Sequence, residues 1–249
     1  MLKLLKDIDP TTPRVTKTNI DGLDRVLGGG LVQGSTAIVA GTPGVGKSTI
    51  LSQLCGEIAK QQKKILYVAG EESLEQIKQR FVRLNINSSH IYLIHTTSLE
   101  DVKKVWKEHD FDLVIVDSLQ TIYSTEIKNM PGTPTQIRLT LMTLYEMAKR
   151  DRRTLIFIGQ STKSGTIAGA STLQHMVDMT LWLDRTPDCR ILKVIKNRYG
   201  DADQYWEFDL ASNGAVDKFE ISEDKPRRWT AGAIGFWVIL ALFVLIVIL

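Results

Sequence analysis

The sequence predicts an α/β fold with a mainly parallel central sheet, helices on both faces and a C-terminal antiparallel extension. Three observations support this prediction. Short β-branched runs alternate with helical patterns at the spacing of βαβ units, the motif GTPGVGKST lies between one such strand and helix, and the pattern changes after Asp178. The 249 residues, 43% of them hydrophobic, suffice for one main domain with a buried core.

The strands of the parallel part are continuous apolar runs, which are typical of strands buried on both faces of a sheet. Helical patterns separate them, and Ser73 suits the N-cap of the second helix. The predicted strands are residues 35–41, 64–70, 91–95, 112–118 and 154–160, and the predicted helices are residues 47–62, 73–84, 98–108 and 136–150.

The segment after Asp178 contains four shorter strand patterns, with Asn213 and Gly214 predicted as a hairpin turn between the last two. These patterns predict the antiparallel extension of the sheet. Two long irregular segments, residues 123–135 and 161–172, interrupt the regular pattern. Loops of this length are usually either functional or disordered.

Composition excludes some classes of protein. The net charge of +3 permits binding to nucleic acid without indicating it. Cys55 and Cys189 are the only cysteines and lie in no CxxC or Cys/His cluster, so neither a four-ligand zinc site nor a disulfide framework is predicted. A reducing, cytosolic compartment fits this cysteine usage.

The C-terminal residues 229–249 form an uncharged apolar run long enough to span a bilayer. Lys225, Arg227 and Arg228 precede the run and would keep the rest of the chain on the cytoplasmic face of a membrane. We therefore predict a basic juxtamembrane linker at residues 222–230 and a single-pass transmembrane helix at residues 231–249. The alternative is a buried helix or strand, which would need apolar neighbours on all sides.

The glycine-rich motif matches GxxxxGK[ST] between a strand pattern and a helix pattern. In such a loop the backbone N–H groups surround a β-phosphate, Lys47 reaches the β- and γ-phosphate oxygens, and the Ser48 hydroxyl can ligate Mg²⁺. The sequence therefore predicts a nucleotide site with Mg²⁺. The predicted binding residues are Gly41, Thr42, Pro43, Gly44, Val45, Gly46, Lys47, Ser48 and Thr49.

Acidic residues at the ends of two strands complete the predicted site. Asp117 ends the run LVIVD and would hold Mg²⁺ together with Ser48, although an ordinary strand-ending Asp would look the same. Glu71 is our first choice for the base that orients the attacking water, and Glu72 is the second. The alternative for both glutamates is that they favour the dipole of the following helix.

Seven segments, in this order, resemble the ATPase core of the bacterial RadA (Sms) recombination family, whose members are relatives of RecA. They are LDRVLGGGLVQGS, GTPGVGKST, YVAGEES, LVIVDSLQTIYS, PGTPTQIR, AGASTLQHMVDMTLWLD and LKVIKNRYG. The resemblance covers about residues 16–219, and the KNRYG element (residues 196–200) is specific to that family. It implies a RecA-like P-loop NTPase domain at residues 16–221, preceded by an extension at residues 1–15.

The resemblance also implies a function. We expect an ATP-driven motor that assembles into a hexameric ring and acts on single-stranded DNA in recombination, repair or branch migration. Lys196 and Arg198 would reach the γ-phosphate of ATP on the neighbouring subunit. From the sequence alone, a basic patch on an exposed strand is the alternative for these two residues.

Three further residues have expected roles in that motor. Gln160 occupies the position of a polar sensor that links the γ-phosphate to DNA, where RadA proteins tend to carry His. The long loops would line the central pore, with Lys163 and Lys128 supplying charge toward DNA phosphates. Such binding should be sensitive to salt and blind to base sequence.

The chain also departs from the family pattern, because the N-terminal four-cysteine zinc module and the C-terminal domain like that of Lon protease have no counterpart. Ring assembly through the second domain, and a partner recruited by the zinc module, are therefore not expected with the same weight. Two other functions stay open. One is a membrane-anchored regulatory ATPase with a RecA fold that binds a protein partner and not DNA. The other is a scaffold that does not hydrolyse ATP, which the combination of Lys47, Ser48, Glu71 and Asp117 disfavours.

Overall fold

A nine-stranded sheet forms the centre of the computed structural model, which describes residues 4–7, 14–160, 174–211 and 213–217. Its strands lie in the order β11-β10-β9-β8-β3-β7-β6-β4-β5, and β1 and β2 form a separate antiparallel pair. The elements are β1 (Val15–Thr16), α1 (Asp21–Leu27), β2 (Leu31–Val32), β3 (Thr36–Gly41), α2 (Lys47–Lys60), β4 (Ile65–Ala69), α3 (Leu74–Arg83), β5 (Ile91–His95), α4 (Leu99–Glu108), β6 (Leu113–Asp117), α5 (Pro134–Asp151), β7 (Thr154–Gln160), β8 (Met179–Arg185), β9 (Arg190–Asn197), β10 (Tyr205–Ala211) and β11 (Gly214–Asp217).

The five strands predicted from apolar runs are β3 to β7, and all of them pair in parallel. The four helices predicted between them are α2 to α5. Ser73 caps α3 as predicted: its hydroxyl accepts from the N–H of Gln76, and the Gln76 side chain accepts from the N–H of Ser73. The predicted α/β fold with a mainly parallel sheet therefore fits the structure.

The antiparallel extension begins one strand later than predicted. β8 pairs in parallel with β3, and the antiparallel pairs described in the nine-stranded sheet are β8 with β9, β9 with β10 and β10 with β11. The chain between Gln160 and Met179 joins β7 to β8, two parallel strands on either side of β3, and parallel strands need a long connection of this kind. Gly214 is also not a turn residue, because it pairs with Ala211 as the first residue of β11.

The core lies on both faces of the sheet because neighbouring residues of each strand face opposite sides. Val39 and Ile156 pack on the face that α1 and α2 cover, with Ile50 and Leu54 of α2. Ile38, Phe157 and their neighbours pack on the other face, together with Trp106 of α4 and Leu141 of α5. The strands and their carboxyl ends are therefore held from both sides.

The predicted fold class is wrong in its last part, the transmembrane helix. Within the residues that the structure describes, no helix is both long enough and apolar enough to cross a membrane. The apolar run at residues 229–249 and the linker at residues 222–230 lie outside the described residues. The expected membrane anchor, and the position at a membrane face that depended on it, therefore have no support. The bounds of the domain at residues 16–221 stay a prediction.

Candidate functional site

The carboxyl ends of the parallel strands bring most of the predicted site residues to one edge of the sheet. Gly41, at the end of β3, pairs with Gln160 at the end of β7. Ala69, at the end of β4, pairs with Asp117 at the end of β6, and Glu71 follows two residues after Ala69. This edge is where open α/β sheets bind their ligands.

The phosphate loop leaves β3 at Gly41 and enters α2 at Lys47. A Cβ on Gly41 would lie 2.1 Å from the carbonyl oxygen of Leu183 on β8, so only glycine fits beside that strand. Gly44 has a φ of +72°, and no atom lies within 4 Å of the place where its Cβ would be. The loop therefore leaves open space at Gly44, and α2 has no side-chain cap at its N-terminus. Both features fit a bound phosphate group.

Lys47 is buried against the loop that it follows. Its Nζ donates to the carbonyl oxygens of Gly41 at 2.9 Å and Thr42 at 3.0 Å. An ammonium group has three donors, so one of them stays available to a phosphate oxygen. Burial lowers the pKa of Lys47, while the negative charges of Asp117 and Glu71 act in the opposite direction.

The two residues predicted to hold magnesium lie beside each other. The Ser48 side chain is close enough to the Asp117 carboxylate to act on its pKa. The buried Tyr67 hydroxyl donates to Oδ2 of the same carboxylate at 2.5 Å. Burial raises the pKa of Asp117, and the hydrogen bonds from Tyr67 and Ser48 oppose that rise. A hydroxyl and a carboxylate oxygen at the mouth of a phosphate loop are suitable ligands for Mg²⁺.

Glu71 and Glu72 have different partners, although they are adjacent in the sequence. Oε1 of Glu71 accepts from Ser118 Oγ at 2.5 Å and from Gln160 Nε2 at 2.7 Å. Glu72 forms a bidentate ion pair with Arg80, with distances of 3.0 and 2.5 Å. Glu71 therefore lies within the candidate site and contacts the predicted sensor, whereas Glu72 is held by α3.

Lys196 and Arg198 do not join this cluster. Lys196 pairs with Thr180 at the start of β8, and the backbone N–H of Arg198 donates to the carbonyl oxygen of Asp178. They therefore lie at the amino edge of β3 and β8, opposite the phosphate loop. Lys196 Nζ donates to the carbonyl oxygens of Gln174, His175 and Val177 at 2.9, 3.2 and 2.7 Å. Burial lowers the pKa of Lys196, as does the positive charge of Arg198.

The two loops predicted to meet DNA differ in what the structure describes. Gln136 of α5 holds the segment at residues 123–135 through its side-chain amide. The amide oxygen accepts from the N–H of Ser124, and Nε2 donates to the carbonyl oxygens of Ser124 and Asn129, each at 2.9 Å. Beyond Ser124, Lys128 and Met130 are exposed. The segment at residues 161–172, with Lys163, lies outside the described residues.

Sequence reasoning missed four side chains of this region. Tyr67, Arg80 and Ser118 surround Asp117 and the two glutamates, and Arg190 Nε donates to the carbonyl oxygen of Val45 in the phosphate loop at 3.1 Å. Tyr67 could have been found, since a phenol inside a fully buried strand usually needs a hydrogen-bond partner. Ser118 directly follows Asp117. Arg80 and Arg190 have no such signal, because they come from elements remote in sequence.

Comparisons with known proteins agree with the fold and the phosphate loop. The family model described as "ATPase: KaiC" matches residues 16–96. A crystal structure of a KaiC-like protein from Pyrococcus horikoshii has a TM-score of 0.70 at 18% identity, covering 83% of this chain and 99% of that one, which supports the fold alone.

Curated relatives carry the description "DNA repair protein RadA". The protein from Campylobacter jejuni is 40% identical over 217 residues, which are 86% of this chain and 48% of the relative. The protein from Bacillus subtilis is 36% identical over 225 residues, 90% of this chain and 49% of the relative. The chain thus spans about half the length of these relatives. These matches confirm the resemblance to RadA over the ATPase core, and with it the prediction of an ATP-hydrolysing domain.

Proposed function

We propose that this chain, whose RecA-fold ATPase domain is similar to that of bacterial RadA proteins, is an ATP-driven motor that acts on single-stranded DNA in recombination, repair or branch migration. The observation that supports this proposal best is the 2.7 Å hydrogen bond between Gln160 and Glu71. Gln160 is the last described residue before the segment at residues 161–172, which is a candidate for DNA contact, so this bond joins the candidate ATP site to the start of that segment. A change at that segment could therefore alter the group that orients water.

Each residue at the carboxyl edge of the sheet has a proposed task. The free donor of Lys47 binds phosphate oxygens, and Ser48 and Asp117 hold Mg²⁺. Bound Mg²⁺ would neutralise charge on the phosphate oxygens. Glu71 accepts a proton from the attacking water, while Ser118 and Gln160 fix the direction of its carboxylate.

The second cation of the reaction is proposed to come from another copy of the chain. Arg198 lies beside Asp178, which bonds Thr36 at the amino end of β3, and the phosphate loop begins at the other end of that strand. Five residue steps of a strand cover about 17 Å, which is beyond the reach of an arginine side chain. Arg198 can therefore act on ATP only across an interface between subunits, as in a head-to-tail ring.

The proposed DNA contacts are with the phosphate backbone. Lys128 is exposed on the loop before α5, and Lys163, which lies outside the described residues, follows Gln160 by three positions in the sequence. Within the described residues of the first loop, no aromatic ring except Tyr123 is available for stacking with a base. We therefore propose binding without base specificity that weakens as salt is added.

The test is ATP hydrolysis by the full chain, measured with and without single-stranded DNA. We expect DNA to stimulate hydrolysis, increasing salt to weaken the stimulation, and Lys47→Ala to abolish turnover. Lys60→Ala is a matched control, because Lys60 lies on the same helix, is exposed, and within the described part of the chain forms an ion pair with Glu57 alone. It should leave both rates within about twofold of the unmodified chain.

Two results would contradict the proposal in different ways. Hydrolysis that depends on Lys47 but ignores DNA would favour a regulatory RecA-fold ATPase with a protein partner. No hydrolysis under any condition, with ATP still bound, would favour a scaffold. DNA binding measured separately by fluorescence anisotropy distinguishes a missing contact from a missing coupling.

A further inference from the structure

The segment from Gln174 to Asp178 is held by two neighbouring elements at the amino edge of the sheet. Lys196 on β9 donates to three of its carbonyl oxygens, and Arg198 Nη2 donates to the carbonyl oxygen of His175 at 3.3 Å. On its other side, the N–H of Asp178 donates to the carbonyl oxygen of Thr36 at 3.0 Å. The KNRYG element and the first residue of β3 are therefore connected through this segment.

Asp178 is the centre of that connection. Its side chain is only 4% exposed, and Oδ2 accepts from Thr36 N at 2.8 Å, from Thr36 Oγ1 at 2.9 Å and from Lys149 Nζ at 2.5 Å. These three bonds fix the plane of the carboxylate. Its other oxygen, Oδ1, accepts from Arg198 Nη1 at 3.3 Å.

The two cations of the KNRYG element differ in what they can still bind. Lys196 already uses its three donors on carbonyl oxygens. Arg198 has five donors, two of which bond Asp178 and His175, and its side chain is 49% exposed. Among the residues that the structure describes, Arg198 is therefore the cation of the two with donors left for a phosphate group of another molecule.

We propose that Asp178 is a positioning residue that holds the Arg198 guanidinium in the direction from which it reaches ATP on a neighbouring copy of the chain. This inference rests on the proposed function, because it requires Arg198 to act across a subunit interface. Asp178 itself touches neither ATP nor its own phosphate loop, since it lies at the opposite end of β3. Its effect on turnover passes through Arg198 alone.

Asp178→Asn tests the role because it keeps the shape of the side chain and removes the charge that attracts Arg198. We expect kcat to fall by about ten- to a hundredfold, since a misplaced group costs that much in rate. KM for ATP should change little, because the phosphate loop of the same subunit is intact. Asp209→Asn, at an exposed position of β10, is the matched control and should keep the unmodified rate.

Arg198→Ala separates the inference from the function on which it rests. If Arg198 acts on ATP, its removal should lower kcat on the order of a hundredfold. An unchanged rate would refute both the action of Arg198 across the interface and the role of Asp178. A large loss in Arg198→Ala with an unchanged Asp178→Asn would overturn the inference and leave the proposed function in place.

Mixed assemblies give the decisive measurement. Lys47→Ala chains lack a working phosphate loop and keep Arg198 in position, whereas Asp178→Asn chains keep the loop and lose the position of Arg198. In a head-to-tail ring formed by co-expression in equal amounts, about a quarter of the interfaces would join an intact loop to a correctly held Arg198. We therefore expect the mixture to regain about a quarter of the unmodified rate, although each variant alone is nearly inactive.

A purely structural role for Asp178 predicts a different result. If the substitution only damaged β3 and its phosphate loop, KM for ATP would rise and the mixture would stay inactive, because no subunit would carry an intact loop. That result would overturn the inference. A mixture of Lys47→Ala with Arg198→Ala should regain activity in both cases, provided that the proposed interface exists, and it serves as the positive control.

Discussion

A single phenol determines how the carboxylate of Asp117 is presented to magnesium. Tyr67 is fully buried in β4 and donates to Oδ2 of Asp117. The guanidinium carbon of Arg80 lies over the Tyr67 ring, 6.0 Å from the ring centre. Because Tyr67 bonds Oδ2, the other carboxylate oxygen, Oδ1, is the one that Tyr67 leaves for a metal ion. A hydrogen bond to a charged acceptor stabilises a structure by about 1.5–3 kcal/mol. The position of Asp117 therefore depends on a residue that does not itself face the nucleotide.

We predict that Tyr67→Phe raises the Mg²⁺ concentration needed for half-maximal ATP hydrolysis by about tenfold, because Asp117 loses the bond that orients it. The measurement is a Mg²⁺ titration of the hydrolysis rate at fixed ATP. Tyr92→Phe on β5 removes a hydroxyl from a partly exposed ring and should leave the titration unchanged. Equal midpoints for Tyr67→Phe and the unmodified chain would contradict the role of Tyr67.

The two adjacent glutamates should respond differently to the same substitution. Glu71→Gln removes the base proposed to accept a proton, so we expect kcat to fall by about a hundred- to ten-thousandfold with ATP still bound. Glu72→Gln weakens an ion pair with Arg80 that stabilises α3, so it should lower stability and keep turnover within about threefold. Single-turnover hydrolysis and nucleotide binding, measured on both variants, check this. The reverse result would make Glu72 the base.

At the scale of elements, α1 and the KNRYG element meet through backbone contact. A Cβ on Gly200 would lie 3.0 Å from Cα of Gly28, which ends α1, and 3.1 Å from Nδ2 of Asn197. Asn197 in turn donates to the carbonyl oxygen of Val26 in α1. The last glycine of KNRYG is therefore explained by packing, since larger residues would separate the two elements.

We predict that Gly200→Ala lowers the free energy of unfolding by about 1 kcal/mol, because the added methyl group forces the turn after β9 away from α1. Since Arg198 lies in that turn, kcat for ATP should fall while KM stays unchanged. Ala202→Ser, at an exposed position of the same turn, is the control. Urea unfolding and steady-state hydrolysis are the measurements. A changed KM for ATP, with kcat and stability unchanged, would refute the explanation.

The elements differ in how well sequence predicts them. The strands β3 to β7 begin and end within one residue of their predicted bounds, because buried parallel strands are unbroken apolar runs. β8 looks like the strands after it, and its parallel pairing with β3 depends on a crossover that no local pattern reveals. The Tyr67–Asp117 and Arg80–Glu72 contacts join different elements, so residue order alone could not have placed them.

At the scale of the whole molecule, the chain has its chemistry at two opposite edges of one sheet. Lys47, Asp117, Glu71 and Gln160 share the carboxyl edge, as their positions after strands predicted. Arg198 lies at the amino edge, which the antiparallel direction of β9 requires. A sequence can name both groups of residues, but their separation follows only from the topology.

The amino edge should also decide how stability depends on pH. Hydrogen bonds from Lys149 and Thr36, with the positive charge of Lys149, hold the pKa of Asp178 below its ordinary value of 3.8 although burial alone would raise it. Arg198, Lys196 and Tyr199 face the same carboxylate from the KNRYG element. A carboxyl group whose pKa is lower in the folded state stabilises the fold above its unfolded pKa, and this contribution is lost as pH falls through the folded pKa.

We therefore predict that Asp178→Asn lowers the free energy of unfolding by about 2–3 kcal/mol at neutral pH, because it removes a buried carboxylate charge that pairs with the partly exposed Lys149. The difference from the unmodified chain should stay constant down to about pH 4 and shrink below it, as the carboxylate of the unmodified chain becomes protonated. Urea unfolding followed between pH 7 and pH 3 measures this difference, with Asp209→Asn as the exposed control. A difference that grows as the pH falls would mean that Asp178 is uncharged in the folded protein, and its proposed hold on Arg198 would then fail as well.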